Sequence, residues 1–287
     1  MSRIFMFPGQ GSQKVGMGAG LFERFPELTA QADAELGYSI AELCLTNSQN
    51  LLDNTAYTQP ALYVVSALTY LAKQQDEPAV VPDFAVGHSL GEYTALYAAG
   101  VFDFITGLKL VKRRGALMSE ATGGGMAAVL GIPPETISAT LADGFNTIDM
   151  ANFNTPAQTV ISGPAEAIQL VKEPMEKAGA MKVVILNVSG AFHSRYMAPS
   201  AEAFAKYLTE FTFSAPRIPV IANATAQPYA GTTEDTISNL TKQIFSPVRW
   251  VETIELLLQK PDPAFDEVGP GSVLAGMHRQ ITRAKKR

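Results

Sequence analysis

One serine of this chain, Ser89, lies in a pattern that suits a catalytic nucleophile. It is the centre of Gly-His-Ser-Leu-Gly, residues 87–91, between a short apolar run at 83–86 and a helical pattern at 90–99. A serine on a sharp turn between a strand and a helix is the nucleophile-elbow arrangement, and the flanking glycines permit that turn. The start of the helix would place backbone N–H groups beside a developing oxyanion. We therefore expect Ser89 to form a covalent intermediate; the alternative is a serine that only completes a turn.

Such a serine needs a general base, and the chain has three histidines. His88 adjoins Ser89, and neighbouring side chains at an elbow generally point apart, so it is a poor base. His278 lies in a C-terminal helical pattern, where a structural or exposed role is expected. His193 lies in a loop of small, polar and glycine residues at 187–200, which suits a functional loop. By elimination, His193 is the predicted base.

The third member of a triad is not evident from the motifs. In an α/β-hydrolase an acid would lie between the serine and the histidine in the chain, where Asp103, Asp143 and Asp149 are found. Asp103 suits a helix N-cap, and the other two lie in the inserted unit described below. A backbone carbonyl or an amide side chain is the other way to orient His193.

Two adjacent arginines, Arg113 and Arg114, lie in an amphipathic helical pattern at 108–121. Neighbours on a helix point about 100° apart, so they cannot both face one pocket. Either both are solvated, or one reaches the Ser89 region and forms a bidentate pair with a substrate carboxylate. The glycine-rich turn at 8–13 could also present N–H groups to an anion, but it lacks the motifs of nucleotide-binding loops.

The composition excludes several classes of protein. The chain has 287 residues, is 47% hydrophobic and carries a formal net charge of -5, which predicts a large core and no general affinity for nucleic acid. The single cysteine, Cys44, cannot form an intrachain disulfide and lies in an apolar helical pattern typical of a core. The histidines and this cysteine lack the ligand spacing of a metal site. No membrane-span or signal-peptide pattern is present, so we expect a cytoplasmic protein.

The order of predicted elements indicates an α/β domain with an insertion. In the middle of the chain the order becomes β-α-β-β-α-β, which is typical of a ferredoxin-like unit. We predict a large α/β domain formed by residues 1–123 and 191–287, with a ferredoxin-like subdomain inserted at 124–190.

Two local expectations concern helices. A helical pattern runs over roughly 22–46, and another runs over 164–179 inside the inserted unit. The second contains Pro174, which should bend or shorten it, because proline lacks the N–H that a helix interior needs.

Taken together and in order, the motifs resemble those of the malonyl-CoA:acyl carrier protein transacylases and of the acyltransferase domains of polyketide synthases. The match is collinear over nearly the whole chain, which is far more specific than any single motif. The matching segments are FPGQGSQ (7–13), TQPAL (58–62), GHSLGEY (87–93), RRGALM (113–118), MAAVLG (126–131), ANFNTPAQTVISG (151–163), GAFHS (190–194), SPVRW (246–250) and EVGPG (267–271).

The resemblance implies a fold, a reaction and a partner. The fold is an α/β-hydrolase-like domain with a ferredoxin-like subdomain, in agreement with the element order. Ser89 would take a malonyl group from malonyl-CoA, with His193 as general base, and pass it to the phosphopantetheine thiol of a holo-acyl carrier protein in a ping-pong reaction. This would serve polyketide or fatty acid synthesis. No bound cofactor, nucleic acid or membrane is implied, and a monomer is expected.

Further site residues follow from the same resemblance. The backbone N–H groups of Gln10 and Leu90 match the family's oxyanion hole. Arg114 matches the arginine that pairs with the malonyl carboxylate. Gln243 matches the position whose backbone carbonyl orients the histidine, and Gln59 matches a residue that lines the pocket.

The loop before the histidine narrows the substrate and the subfamily. GAFHS resembles the malonyl-type signature, and Phe192 would leave little room for an α-methyl branch, a difference of about 1–3 kcal/mol. SGAFHSRYM resembles the discrete acyltransferases that serve polyketide synthases lacking their own acyltransferase domains. A methionine just before the first strand leads us to expect a free-standing enzyme. The alternative function is a proofreading acyl hydrolase of the same fold, against which Arg114 counts, because such enzymes tend to lack this arginine.

Overall fold

Two β-sheets organise the chain. The computed structural model describes residues 1–285, in which the strands are β1 (Ser2–Phe7), β2 (Phe84–Gly87), β3 (Gly124–Leu130), β4 (Asp149–Thr155), β5 (Gln158–Pro164), β6 (Lys182–Ile185), β7 (Val220–Ile221) and β8 (Pro263–Glu267). The first sheet is parallel, in the order β7-β2-β1-β8. Strand β1 ends in a fully buried run at residues 4–7, because both faces of a parallel sheet are covered by other elements.

Helices form most of the connections. Those in the described residues are α1 (Leu21–Arg24), α2 (Pro26–Leu36), α3 (Ile40–Leu45), α4 (Thr55–Asp76), α5 (Gly91–Ala98), α6 (Phe104–Ser119), α7 (Pro134–Ala142), α8 (Ala165–Leu170), α9 (Lys172–Lys177), α10 (Ala198–Leu208), α11 (Thr233–Phe245), α12 (Trp250–Leu257) and α13 (Val273–Lys285). Helix α6 begins after Asp103, whose carboxylate accepts a hydrogen bond from the Thr106 N–H at 2.7 Å as an N-cap. Within residues 1–285, no helix combines the length and the apolar character that crossing a bilayer requires.

The helical pattern at 22–46 is divided into three helices, α1 to α3. Pro26 is the first residue of α2, a position where proline is favoured because the first N–H groups of a helix have no intrahelical partner. Gly37 ends α2 with a φ of 82°, in the left-handed region that glycine adopts readily. Cys44 is buried in α3, and burial raises the pKa of its thiol to about 12.

The second sheet is antiparallel, in the order β4-β5-β3-β6, with α7 between β3 and β4 and with α8 and α9 between β5 and β6. This is the β-α-β-β-α-β order of a ferredoxin-like unit, so the predicted fold class is confirmed. Its strands span residues 124–185. The helix predicted at 164–179 is interrupted at Val171, and Pro174 lies in the first turn of α9, where its missing N–H is tolerated.

Backbone contacts join the ferredoxin-like unit to the larger domain. The Phe153 N–H donates to the Val248 carbonyl at 2.9 Å, and the Val248 N–H donates to the Ala151 carbonyl at 2.9 Å. At the start of β3, a Cβ on Gly124 would lie 2.2 Å from the backbone nitrogen of Ala191. The segments that enter and leave the unit are therefore in direct contact, and a cleft lies between the two parts of the molecule.

Candidate active site

Ser89 lies on a sharp turn between β2 and α5, at the carboxyl edge of the first sheet. Its φ of 50° is in the left-handed region, which costs a residue other than glycine about 1–3 kcal/mol. The Asn223 amide holds this conformation: Oδ1 accepts from the Ser89 N–H at 2.7 Å, and Nδ2 donates to the Gly87 carbonyl at 2.7 Å. A Cβ on Gly87 would lie 1.9 Å from the backbone of Gly91. The turn therefore needs its glycines, and it fixes the direction of the serine hydroxyl.

His193 and Ser89 form a hydrogen-bonded pair. His193 Nε2 lies 2.8 Å from Ser89 Oγ, and its Nδ1 lies 2.8 Å from the backbone carbonyl oxygen of Gln243. Burial, assisted by the positive charge of Arg114, lowers the pKa of His193 to about 3, so the ring is neutral near pH 7. A neutral ring whose Nδ1–H donates to a carbonyl presents its Nε2 lone pair to the serine hydroxyl, as a general base must.

Arg114 places a buried positive charge beside this pair. It extends from α6, is 1% exposed, and has its Nη2 3.2 Å from Ser89 Oγ. Two amide oxygens hold the guanidinium: Gln59 Oε1 accepts from Nη1 at 2.8 Å, and Gln243 Oε1 accepts from Nη2 at 3.0 Å. The adjacent Arg113 is exposed. Only one of the two arginines therefore faces the site, as helix geometry requires.

The turn after β1 packs closely against the turn that carries Ser89. A Cβ on Gly9 would lie 2.3 Å from the His88 carbonyl oxygen, so only glycine permits this approach. Gln10, the next residue, and Leu90, which follows the serine, both line the cavity beside Ser89. Within residues 1–285, neither the Gln10 N–H nor the Leu90 N–H donates a hydrogen bond to another backbone carbonyl. Two such N–H groups next to a nucleophile have the chemistry of an oxyanion hole.

A cavity of about 360 Å³ lies over the serine, between the larger domain and the ferredoxin-like unit. One wall comes from the ferredoxin-like unit and the loop that leaves it, through Met126, Asn152 and Leu186. Gln243 lies behind the lining, where it contacts the pair formed by Ser89 and His193 from the buried side. The predicted site residues that line the cavity are Gln10, Gln59, Ser89, Leu90, Arg114, Phe192 and His193.

The other two histidines have structural surroundings. His88 points away from the serine hydroxyl: its Nε2 lies 2.8 Å from Asn154 Oδ1, and its ring packs edge-on against Trp250 at 5.5 Å. The His278 ring packs against that of Phe265 in the edge strand β8, with ring centroids 4.1 Å apart. Neither histidine is hydrogen-bonded to Ser89.

A buried carboxylate that the sequence reasoning did not identify lies behind the site. Glu92, in the first turn of α5, is fully buried, and its carboxylate accepts from the Tyr229 hydroxyl at 2.5 Å and from Gln243 Nε2 at 2.6 Å. Burial raises the pKa of Glu92 to about 7. The available signal was a single charge inside the otherwise uncharged helical stretch 91–100, since a buried charge needs partners.

Comparison with known proteins gives matches over nearly the whole chain. A family model described as the acyl transferase domain matches residues 4–287. The polyketide biosynthesis malonyl CoA-acyl carrier protein transacylase BaeC of Bacillus velezensis is 53% identical over 282 residues, which cover 96% of each chain.

Solved structures also match over nearly the whole chain. The crystal structure of a malonyl CoA-acyl carrier protein transacylase from Burkholderia pseudomallei is 49% identical, with a TM-score of 0.94 over 99% of this chain and 98% of that one. A malonyl-transacylase solved in complex with its type II PKS acyl-carrier protein is 34% identical, with a TM-score of 0.93 over 99% of this chain and 94% of that one. The resemblance drawn from the motifs is thus confirmed, and the chain belongs to the acyl transferase domain family, among the malonyl-CoA:acyl carrier protein transacylases.

Proposed function

We propose that this protein transfers a malonyl group from malonyl-CoA to the phosphopantetheine thiol of an acyl carrier protein, through a malonyl ester on Ser89. The observation that carries the proposal is the position of Arg114, a buried cation whose Nη2 lies 3.2 Å from Ser89 Oγ. A buried cation beside a nucleophile favours an acyl group that brings its own carboxylate, because an uncompensated buried charge is costly.

In the first half-reaction, Ser89 Oγ attacks the thioester carbonyl while its proton passes to His193 Nε2, 2.8 Å away. The negative charge that develops on the carbonyl oxygen is stabilised by the N–H groups of Gln10 and Leu90. The C–S bond then breaks, and the imidazolium returns the proton to the departing sulfur. The products are malonyl-Ser89 and free coenzyme A.

In the second half-reaction, the carrier's phosphopantetheine thiol takes the place of coenzyme A. His193 accepts the thiol proton, the sulfur attacks the ester carbonyl, and the proton is delivered to Ser89 Oγ as the C–O bond breaks. The Gln243 carbonyl keeps the Nδ1 side of the ring engaged throughout, at 2.8 Å. Coenzyme A and phosphopantetheine both enter as parts of the substrates.

The substrate carboxylate has a second role in this scheme. The charge of Arg114 contributes to the lowered pKa of His193. A malonyl carboxylate paired with Arg114 would offset that charge and raise the pKa of His193, which makes the histidine a stronger base when the correct acyl group is bound. An acetyl group has no charge to offset and would lack this effect.

The biosynthetic pathway and the selectivity for the acyl group are also proposals. The B. velezensis relative is named for polyketide biosynthesis, which supports the same role here. Phe192, 4% exposed on the cavity lining, supports selection of malonyl over α-methyl-branched groups. A cytoplasmic location and a monomeric state stay predictions.

The first experiment is intact-protein mass spectrometry after mixing the enzyme with malonyl-CoA, with and without holo-carrier protein. We expect a malonyl adduct that disappears as malonyl-carrier protein accumulates. Ser89→Ala should form no adduct, while Ser214→Ala, at an exposed serine, should behave as wild type. Retained labelling of Ser89→Ala would overturn the mechanism. Little adduct, with malonate released and acyl-carrier proteins stripped, would identify the enzyme as a hydrolase instead.

A further inference from the structure

The fully buried carboxylate of Glu92 lies behind the elbow, outside the cavity lining. Glu92 is one helical turn beyond Ser89, and its N–H donates to the Ser89 carbonyl at 3.1 Å. Because its side chain does not reach the cavity, it does not contact the acyl group. A carboxylate withdrawn from water at a cost of several kcal/mol must be held by partners, and these partners are the residues that hold the reacting groups.

The first partner is the Gln243 side chain. Its Nε2 donates to Glu92 at 2.6 Å and to the Ser89 carbonyl at 2.7 Å, while its Oε1 accepts from Arg114 Nη2 at 3.0 Å. An amide has donors on one end and an acceptor on the other. Since both N–H groups are used by Glu92 and Ser89, the oxygen must face Arg114. Glu92, the Ser89 carbonyl and the guanidinium therefore all require the same orientation of the amide.

The second partner is the segment that braces the elbow. The Asn223 N–H donates to both carboxylate oxygens of Glu92 at 3.3 Å. The side chain of the same asparagine holds the Ser89 N–H and the Gly87 carbonyl. Tyr229, which donates to Glu92 at 2.5 Å, completes the set of donors around the carboxylate.

We propose that Glu92 is a positioning residue for malonyl transfer, which acts through Gln243 and Asn223 to aim Arg114 at the acyl carboxylate and to hold Ser89 in its strained conformation. This inference rests on the proposed transacylase function. One buried carboxylate would thus align the Ser89 hydroxyl with the guanidinium of Arg114.

The proposal implies a pH dependence. The charged and titratable groups that face Glu92 are Arg114 from α6, Tyr229 from the segment before α11, and Tyr93 next to it on α5. Burial raises the pKa of Glu92 to about 7. Protonation removes the negative charge that the donors on Gln243, Asn223 and Tyr229 surround, and so weakens their hold. The carboxylate form is therefore the active one. Activity on malonyl-CoA should therefore fall as the pH drops below about 7.

The test is Glu92→Gln, assayed for kcat/KM with malonyl-CoA and acetyl-CoA across pH. A glutamine at this position loses one of the two acceptor oxygens, so a donor must face Gln243 or Asn223. We expect the malonyl-to-acetyl ratio of kcat/KM to fall by about ten- to a hundredfold, which is the effect of losing one hydrogen bond to a charged group. The acid limb of the pH profile, meaning the fall in activity below about pH 7, should disappear. Glu27→Gln, at an exposed glutamate on α2, is the control. A merely structural role would lower both activities equally and leave the acid limb in place, which would overturn the proposal.

Tyr229→Phe is the second variant, and it decides the matter if Glu92→Gln does not fold. Losing the hydroxyl donor raises the pKa of Glu92, so the acid limb should move to higher pH by about one unit; an unmoved limb would overturn the proposal. Wild-type enzyme is assayed in parallel. If wild type forms no malonyl-Ser89, the proposed function fails; if it does and the variants keep its ratio and pH profile, only this inference fails.

Discussion

Replacing Arg114 by alanine is expected to remove most of the preference for a carboxylated acyl group. Within the described residues, Arg114 makes three hydrogen bonds, two from Nη2 and one from Nη1. Its Nε–H is buried without a partner among these residues, so the second Nη1 N–H is the one left for a substrate carboxylate. Breaking a buried, hydrogen-bonded ion pair costs about 3–5 kcal/mol, which corresponds to a fall of about 10²–10⁴ in kcat/KM for malonyl-CoA. Acetyl-CoA has no carboxylate to lose, and removing the charge of Arg114 raises the pKa of His193, so kcat/KM for acetyl-CoA should be kept or should rise.

The assay measures coenzyme A release in single turnover from malonyl-CoA and from acetyl-CoA, without carrier protein, so that only acylation of Ser89 is observed. The matched control is Arg113→Ala, one position away and exposed, which should leave both rates unchanged. If Arg114→Ala kept malonyl transfer, or if both thioesters lost activity equally, the inference that this guanidinium contacts the acyl carboxylate would be refuted.

Three further substitutions test neighbouring parts of the site. Gln243→Ala should leave His193 oriented, because the accepting carbonyl is backbone, yet lower the malonyl-to-acetyl ratio of kcat/KM about ten- to a hundredfold; an unchanged ratio would contradict this. Gly9→Ala, whose Cβ would lie 2.3 Å from an elbow carbonyl, should lower kcat by about 10²–10³, whereas Gly276→Ala, with nothing within 4 Å, should not. Phe192→Ala should improve the use of methylmalonyl-CoA relative to malonyl-CoA by about 1–3 kcal/mol, and an unchanged ratio in competition assays would show that Phe192 does not limit the branch.

The elements that carry the reacting groups were predictable because their signals are local. An apolar run, a glycine-flanked serine and a helical pattern stand together at 83–99, and the structure builds the expected strand, turn and helix there. His193 was reached by elimination among three histidines. The backbone carbonyl that orients it has no side-chain signature, so the position of Gln243 came only from the resemblance.

The hydrogen-bond network around Glu92 was not predictable, because its members are far apart in the sequence. Asn223 is 134 residues from the serine that it braces, and Tyr229 is 137 residues from Glu92. Only the folded sheet brings β7 next to β2. The lone charge at Glu92 signalled that partners were needed, but partner identity depends on long-range packing. The division of the pattern at 22–46, in contrast, could have been expected from Pro26 and Gly37, which are local signals.

The position of the cavity has a consequence for how the enzyme can change. Ser89, His193 and Arg114 lie outside the ferredoxin-like unit, while Met126 and Asn152 reach the cavity from it. The smaller module, the ferredoxin-like unit, therefore contributes to the wall of the cavity but not to the cluster of Ser89, His193 and Arg114. Redesign of acyl-chain length can begin in the smaller module, at apolar positions such as Met126, without altering the groups that make and break the ester.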